Sequence, residues 1–357
     1  MRAPIDKIPG HDIPWNCTGE EWLYPGGNSL NDEHKFKNQF IIKTIPHQSF
    51  LRGTCRAGEL LNQGIEQMNN LGDYLQSNYK SLLSTLDSRR SFSFRSTYTN
   101  RCLASIQTVA QKLLPGEDPV DVFVANEELE SLVPNSYLCP KLGSLYRDVQ
   151  TPNSTFSKKM KIFNNHLNHI KNISNITVVP HWSRIGELLI TRHCANQHLP
   201  GKFTNEFMAE SANLLVDFYM GVMNLTKGRS FSSGLLLSDI YLDMRDYLSG
   251  AKKSQFTLIC GHTLTIVSLL ASLNETVTFP EFGKFVAFEV LEKNENPNSH
   301  LVRILLNGEV LKTMEFKEFE KMVLQMRPKE EECGIRYPFL EKDKGDPGIK
   351  LLHYAFS

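Results

Sequence analysis

Apolar positions at Ile65, Met68, Leu71, Leu75, Tyr79 and Leu82 recur every three or four residues, which predicts a helix of about six turns starting near Leu61. Phe92 and Phe94 alternate with serines as in a short strand. Leu103, Ile106, Val109 and Leu113 then resume helical spacing until Pro115-Gly116, so the unit reads as strand, turn, helix. Asp121 to Ala125 predicts a further strand. Residues 130 to 225 change character: they are Asn-rich, carry little strand signal, and predict helices over Phe156 to Ile173 and Phe207 to Met223. Sheet character returns at Phe256 to Cys260, a buried-strand run that meets Gly261-His262-Thr263. It passes into a helix with Ile266, Val267, Leu270 and Leu273 on its inner side. Lys284 to Leu291 and His300 to Leu306 read as strands around an Asn296-Pro297-Asn298 turn, and Asn307-Gly308 signals a tight hairpin. Residues 11 to 54 have no such period; rich in Pro, Gly, Asn and His, they read as a long surface insertion.

The chain has 357 residues, 41% hydrophobic and 22% charged, an ordinary globular composition that suggests either two domains or one large α/β domain with an insertion. The second fits the pattern better. Lys+Arg and Asp+Glu both number 39, so no net field draws the molecule to nucleic acid or to an anionic membrane. The longest apolar stretch, Phe256 to Leu273, is interrupted by Gly261, His262 and several threonines, and would not cross a bilayer as a simple span.

The start, Met1-Arg2-Ala3-Pro4, is neither a signal nor a transit peptide. Asn-x-Ser/Thr sequons nevertheless stand at Asn16, Asn153, Asn172, Asn175, Asn224 and Asn274, where composition alone gives about three or four. Seven widely spaced cysteines, with no Cys-x-x-Cys, argue against a zinc module and permit a few disulfides with one thiol left over. The expectation is a protein of the secretory pathway, in the Golgi lumen, lysosomal or extracellular, whose targeting segment is not in this chain.

In open α/β sheets the functional crevice lies beyond the carboxyl ends of the strands, where helix N-termini point their free N–H groups. Arg101 and His262 both occupy such junctions. A guanidinium fork and an imidazole beside helix starts suggest an oxyanion or phosphate site. His193, Cys194 and His198 do not share a helical face and are not expected to hold zinc. Cys260 and Cys102 are read as buried thiols, their pKa values raised by burial.

At these junctions the chain resembles a known family. Arg95-Ser96-Thr97-Tyr98-Thr99-Asn100-Arg101, with Ser105 one turn on, resembles the second signature of the histidine acid phosphatases, in which a Ser-Thr pair leads to a phosphate-binding Arg. Cys260-Gly261-His262-Thr263-Leu264-Thr265 is similar to their late His-Asp signature. Ser233 through Met244 matches the family's small-residue and Leu pattern, and Asn135 to Pro140 resembles the segment carrying its cap cysteine. Cys55 to Leu60, through Gly64 and Gln67, with Val302 to Gly308, looks most like the family branch directed at 2-phosphorylated xylose.

The resemblance implies an α/β fold, a mostly parallel sheet flanked by helices with an inserted α-helical cap. Residues 1–128 and 229–357 would form the two parts of the core, with 11–54 as a surface insertion in the first part and 129–228 as the cap. It also implies hydrolysis of a phosphorylated small molecule or glycan through a phosphohistidine, with no metal or cofactor. The family opens with Arg-His-Gly-x-Arg-x-Pro, the His being the nucleophile. Here Met1-Arg2-Ala3-Pro4 matches only the end of that motif, so the chain reads as cut just downstream of the nucleophile, with Arg2 as a second phosphate-binding residue. Where the family places its proton-donating Asp, this chain has Thr263, whose hydroxyl is too weak an acid for that task and is left with capping the helix. No carboxylate follows it in the next three residues. The alternative is therefore a catalytically inactive member that binds a phosphorylated or anionic ligand. The resemblance further implies disulfides between Cys139 and Cys333 and between Cys17 and Cys55.

Overall fold

The computed structural model describes residues 14–17, 21–23, 40–42, 53–56, 58–86, 89–114, 120–174, 181–293 and 296–333. Arg2, Asn175 and most of the 11–54 segment lie outside the described residues.

Near the start, β1 (Glu21–Leu23) and β2 (Phe40–Ile42) form an antiparallel ribbon. Trp15 is buried, and the Cys17–Cys55 disulfide joins the ends of this region. The long helical period resolves into α1 (Asn62–Asn78) and the single turn α2 (Lys80–Leu83). Met68, Gly72 and Leu75 form the buried face of α1. Then β3 (Phe92–Ser96) runs through a short turn into α3 (Asn100–Leu113), which buries Ile106, Val109 and Leu113 as expected, with Cys102 buried in the first turn where Leu103 is only half-buried.

The expected strand over Asp121 to Ala125 is only a bridge. Phe123 donates to the Phe94 carbonyl at 2.8 Å and accepts from the Ser96 amide at 2.9 Å, and the chain then turns away into a 3-10 turn at Glu127–Leu129.

Four helices follow: α4 (Pro140–Val149), α5 (Thr155–Ser174), α6 (Trp182–Cys194) and α7 (Asn205–Met223). Pro140 at the first position of α4 suits a site whose N–H has no intrahelical partner anyway. The Ser154 hydroxyl accepts the Ser157 amide at 3.0 Å, and the Thr204 hydroxyl accepts that of Phe207 at 3.2 Å, satisfying orphan donors at the starts of α5 and α7. Leu142, Phe163, Ile185, Leu189 and Phe207 give these helices a core of their own.

Then α8 (Gly228–Leu248) precedes β4 (Phe256–Cys260) and α9 (Thr263–Ser272). The antiparallel trio β5 (Val286–Lys293), β6 (Asn296–Leu306) and β7 (Glu309–Glu315) leads to α10 (Phe316–Met326) and α11 (Glu330–Cys333). Asn296 pairs with Lys293 inside the ladder, so the expected Asn296-Pro297-Asn298 turn is instead strand, with the reversal before Asn296. Asn307 and Gly308 both take positive φ, 51° and 90°, as a tight hairpin needs. The Cys139–Cys333 disulfide fastens α11 to the start of α4.

Two elements have weak sequence patterns. α8 buries residues almost all round, including Ser230, Ser233, Gly234, Leu236, Leu237 and Tyr241, so no single apolar stripe marks it. A side chain at Gly234 would stand 2.1 Å from the Met326 carbonyl oxygen, which is how closely α8 and α10 approach. α6 likewise buries Gly186 and Arg192 among its apolar residues.

The chain is thus an α/β protein. β3 and β4 pair in parallel from Phe92 opposite Phe256 to Ser96 opposite Cys260, so their carboxyl ends lie side by side and α3 and α9 start from the same edge.

Candidate active site

The parallel pairing places Arg101, in the first turn of α3, against His262, the residue that opens α9. Arg101 Nη2 lies 3.0 Å from His262 Nδ1. A guanidinium only donates, so Nδ1 accepts and the ring proton sits on Nε2, 3.0 Å from Thr97 Oγ1. Thr97 Oγ1 is in turn 3.3 Å from Thr99 Oγ1. The imidazole is therefore oriented at both nitrogens by the turn between β3 and α3.

The backbone of His262 is held as well. Its amide donates to Thr265 Oγ1 at 2.9 Å, and that hydroxyl donates to the Leu132 carbonyl at 2.6 Å. The capping assigned to Thr263 belongs to Thr265, because Thr263 is the first residue inside α9 and Thr265 is the one whose hydroxyl reaches back. Gly261 permits this geometry: a Cβ there would stand 2.4 Å from Thr265 Oγ1.

Behind the ring lies a group of buried charges that sequence reasoning did not assign. Arg95, on β3, bonds Asp239 Oδ2 at 2.9 Å and Ser131 Oγ at 2.8 Å, and approaches Glu130 Oε1 at 3.4 Å. Burial raises the Glu130 carboxyl above the usual carboxylate range, and Asp239 adds to the rise. The Leu132 N–H and Arg95 pull the other way without cancelling it. The signal available in sequence was Arg95 itself, a charged residue in a strand alternating with phenylalanines.

Cys102 and Cys260 meet beside the same ring. The Cys102 thiol donates to the Gly261 carbonyl at 3.1 Å and lies 3.7 Å from His262 Nδ1. Its pKa is pulled down, first by the hydrogen bond from Cys260 and then by His262 and Thr97, against the effect of burial. The expected upward shift thus holds for Cys260, held protonated by Cys102 and by burial, and is reversed for Cys102.

Arg101, His262, Thr263, Ser105 and Glu130 border one cleft of about 2000 Å³, which the residues of β4 and β5 also line. Asn16, Asn153, Asn172, Asn224 and Asn274 are all exposed. No helix among the described residues is long and apolar enough to cross a membrane.

The parallel β-pair thus aims two helix starts, a guanidinium and an imidazole at one cleft. The chain is similar in fold to the phytase of Citrobacter braakii, with a TM-score of 0.59 at 15% identity, covering 78% of this chain and 90% of that one. The family model of the histidine phosphatase superfamily (branch 2) matches residues 27–307, and the chain belongs to that family. A probable acid phosphatase of Schizosaccharomyces pombe is 26% identical over 267 residues, 67% of this chain and 56% of the relative. A 2-phosphoxylose phosphatase of Xenopus tropicalis is 24% identical over 273 residues, 71% of this chain and 53% of the relative. The chain thus spans little more than half the length of these relatives.

Proposed function

We propose that this chain binds the phosphoryl group of a phosphomonoester between Arg101 and His262, and that the whole protein hydrolyses the ester through a phosphohistidine. The observation that carries this reading is the 3.0 Å contact between those two side chains at the adjoining carboxyl ends of β3 and β4. An anion seated there takes the guanidinium fork and the imidazole as donors, with the N-terminal amides of α3 and α9 behind them. Arg2 completes the set of cations in this reading.

In this mechanism the histidine of the family's opening motif attacks phosphorus in line; the P–N bond forms as the ester P–O bond breaks, and the alcohol oxygen leaves with the electron pair. Water then attacks the phosphohistidine, releasing inorganic phosphate and the free imidazole. Arg101 and His262 hold the equatorial oxygens whose charge is redistributed in the transition state. Rapid quenching during turnover of 4-nitrophenyl phosphate should trap acid-labile, base-stable phosphoprotein. Turnover without such an intermediate would sink the mechanism.

The substrate is a phosphorylated sugar of the 2-phosphoxylose type, in the linkage region of a proteoglycan chain. The named relative and the matching segments at Cys55 to Gln67 and Val302 to Gly308 support this. A protein that ignores phosphoxylosyl glycans yet cleaves lysophosphatidate or nucleotides would refute it. Five exposed sequons and two disulfides support residence in the secretory pathway as a glycoprotein, which a mobility shift on endoglycosidase treatment checks.

Thr263 favours a second reading, an inactive member that binds a phosphorylated ligand. Phosphate binding with no turnover of any aryl or alkyl ester would select it.

A further inference from the structure

Two of the cysteines outside the disulfides meet at the junction of β4 with α3. Cys102 directly follows Arg101 in the first turn of α3, and Cys260 ends β4 two residues before His262. The Cys260 thiol hydrogen-bonds the Cys102 sulfur, so the two sulfurs touch. Cys102 Sγ also lies 3.1 Å from the Gly261 carbonyl oxygen and 3.7 Å from His262 Nδ1. Cys260 is fixed from its other side: its carbonyl accepts the Thr97 amide at 3.2 Å, and it pairs with Ser96 in the parallel ladder. The remaining free cysteine, Cys194, ends α6.

Two thiols in contact are the reactants of a disulfide, and these two differ in the way such a reaction uses. The bond from Cys260, then His262 and Thr97, favour the Cys102 thiolate against the effect of burial, which makes Cys102 the better nucleophile. Cys260 keeps its proton and stands ready as the resolving thiol. Cys102 is 3% exposed and Cys260 half-buried in the wall of the cleft, which suits a water-sized oxidant and excludes a bulky one.

We propose that Cys102 and Cys260 are an oxidisable dithiol, closed to a disulfide by a peroxide, and that the closed form holds phosphate less tightly than the dithiol. The second half rests on the phosphate site proposed above. The Cys102 sulfur attacks one oxygen of hydrogen peroxide; the S–O bond forms as the O–O bond breaks, and the departing hydroxide takes the thiol proton to become water. Cys260 then attacks the sulfenic sulfur, the S–S bond forms as the S–O bond breaks, and the Cys260 proton leaves with that oxygen as a second water. The two sulfurs give up two electrons and the peroxide gains them. A disulfide sulfur has no proton, so the Gly261 carbonyl loses its donor as Cys102 is drawn to Cys260. Because Arg101 adjoins Cys102 and His262 adjoins Gly261, the two groups that would hold the anion shift against each other.

The test uses this chain, stoichiometric hydrogen peroxide and inorganic phosphate. Peptide mapping without reduction follows the cysteines, and calorimetry measures phosphate affinity before and after treatment. Peroxide should yield a Cys102–Cys260 linked peptide and lower phosphate affinity by about tenfold, the scale of one hydrogen bond misaligned. In Cys260→Ala the reaction should stop at the sulfenic acid, which dimedone labels at Cys102. Thiols that stay free, a link formed with phosphate affinity unchanged or raised, or a folded Cys260→Ala protein without label at Cys102 would overturn the proposal and leave the anion site standing. No phosphate binding by the untreated protein would remove the anion site and its redox control together. Should Cys260→Ala not fold, the linked peptide and the change in affinity of the wild-type protein decide.

Discussion

The Thr265 hydroxyl donates to the Leu132 carbonyl at 2.6 Å across 133 residues of sequence. The same oxygen accepts the His262 amide, so one side chain sets both the start of α9 and the position of the Glu130 loop. Thr265→Val keeps the shape and removes both bonds. Loss of the cap and of a partner for a buried carbonyl should cost about 1–3 kcal/mol of stability. Urea unfolding of the two proteins checks this, and a variant as stable as wild type would show that the bridge carries no energy.

Arg101 is the donor that an anion would engage at the head of α3. Its replacement by Ala should weaken inorganic phosphate binding roughly tenfold to a hundredfold, the worth of about 1.5–3 kcal/mol for a hydrogen bond to a charged group. Lys should recover only part of the loss, because it keeps the charge but not the planar fork. Calorimetric titration decides, and unchanged affinity in Arg101→Ala would place the anion elsewhere.

The linkage of Glu130 to stability has a definite sign. Its carboxyl titrates higher in the folded protein than in the unfolded chain, so between the two pKa values the native state holds the extra proton. Its contribution is fully present below the unfolded pKa, about 4.3, and is lost as pH rises through the higher folded value. Glu130→Gln cannot ionise and should escape that loss, so the variant gains stability relative to wild type as the pH is raised. Unfolding curves collected from pH 4 to 8 measure the difference; parallel curves would contradict the raised pKa.

Local pattern anticipated what local forces decide. The alternation at Phe92 and Phe94, the run Phe256 to Cys260 and the Asn307-Gly308 hairpin all became the expected elements, because each strand meets a helix or turn signal within a few residues. The pairing of Arg101 with His262 was also legible, since both stand just past a strand end and those strands run parallel. α8 was hidden because burial on nearly every side erases the 3.6-residue stripe. Glu130 was hidden for a different reason: its importance comes from Arg95, Asp239 and Thr265, each over thirty residues away, and no spacing rule connects them.

The two disulfides close loops of very different length, with separations of 38 and 194 residues. Cys139–Cys333 holds α11 against α4 beside the core of the four-helix group, whereas Cys17–Cys55 closes the start of the chain around Trp15. On loop-closure entropy, the paired change Cys139→Ala with Cys333→Ala should cost more than Cys17→Ala with Cys55→Ala, each within about 2–5 kcal/mol. Chemical denaturation of both double variants in oxidising buffer tests the order.

Position 263 makes the choice between the two readings testable. Thr263→Asp places a carboxyl in the first turn of α9, next to His262. In a preparation that turns over aryl phosphates, the change should raise kcat on alkyl phosphates by about tenfold or more, because an alkoxide needs a proton to leave. Aryl turnover should stay nearly unchanged, because a phenolate leaves without one. Comparing kcat for the two leaving-group classes in the two proteins reads this directly. No gain on alkyl esters would favour the reading in which the chain binds a phosphorylated ligand without turning it over.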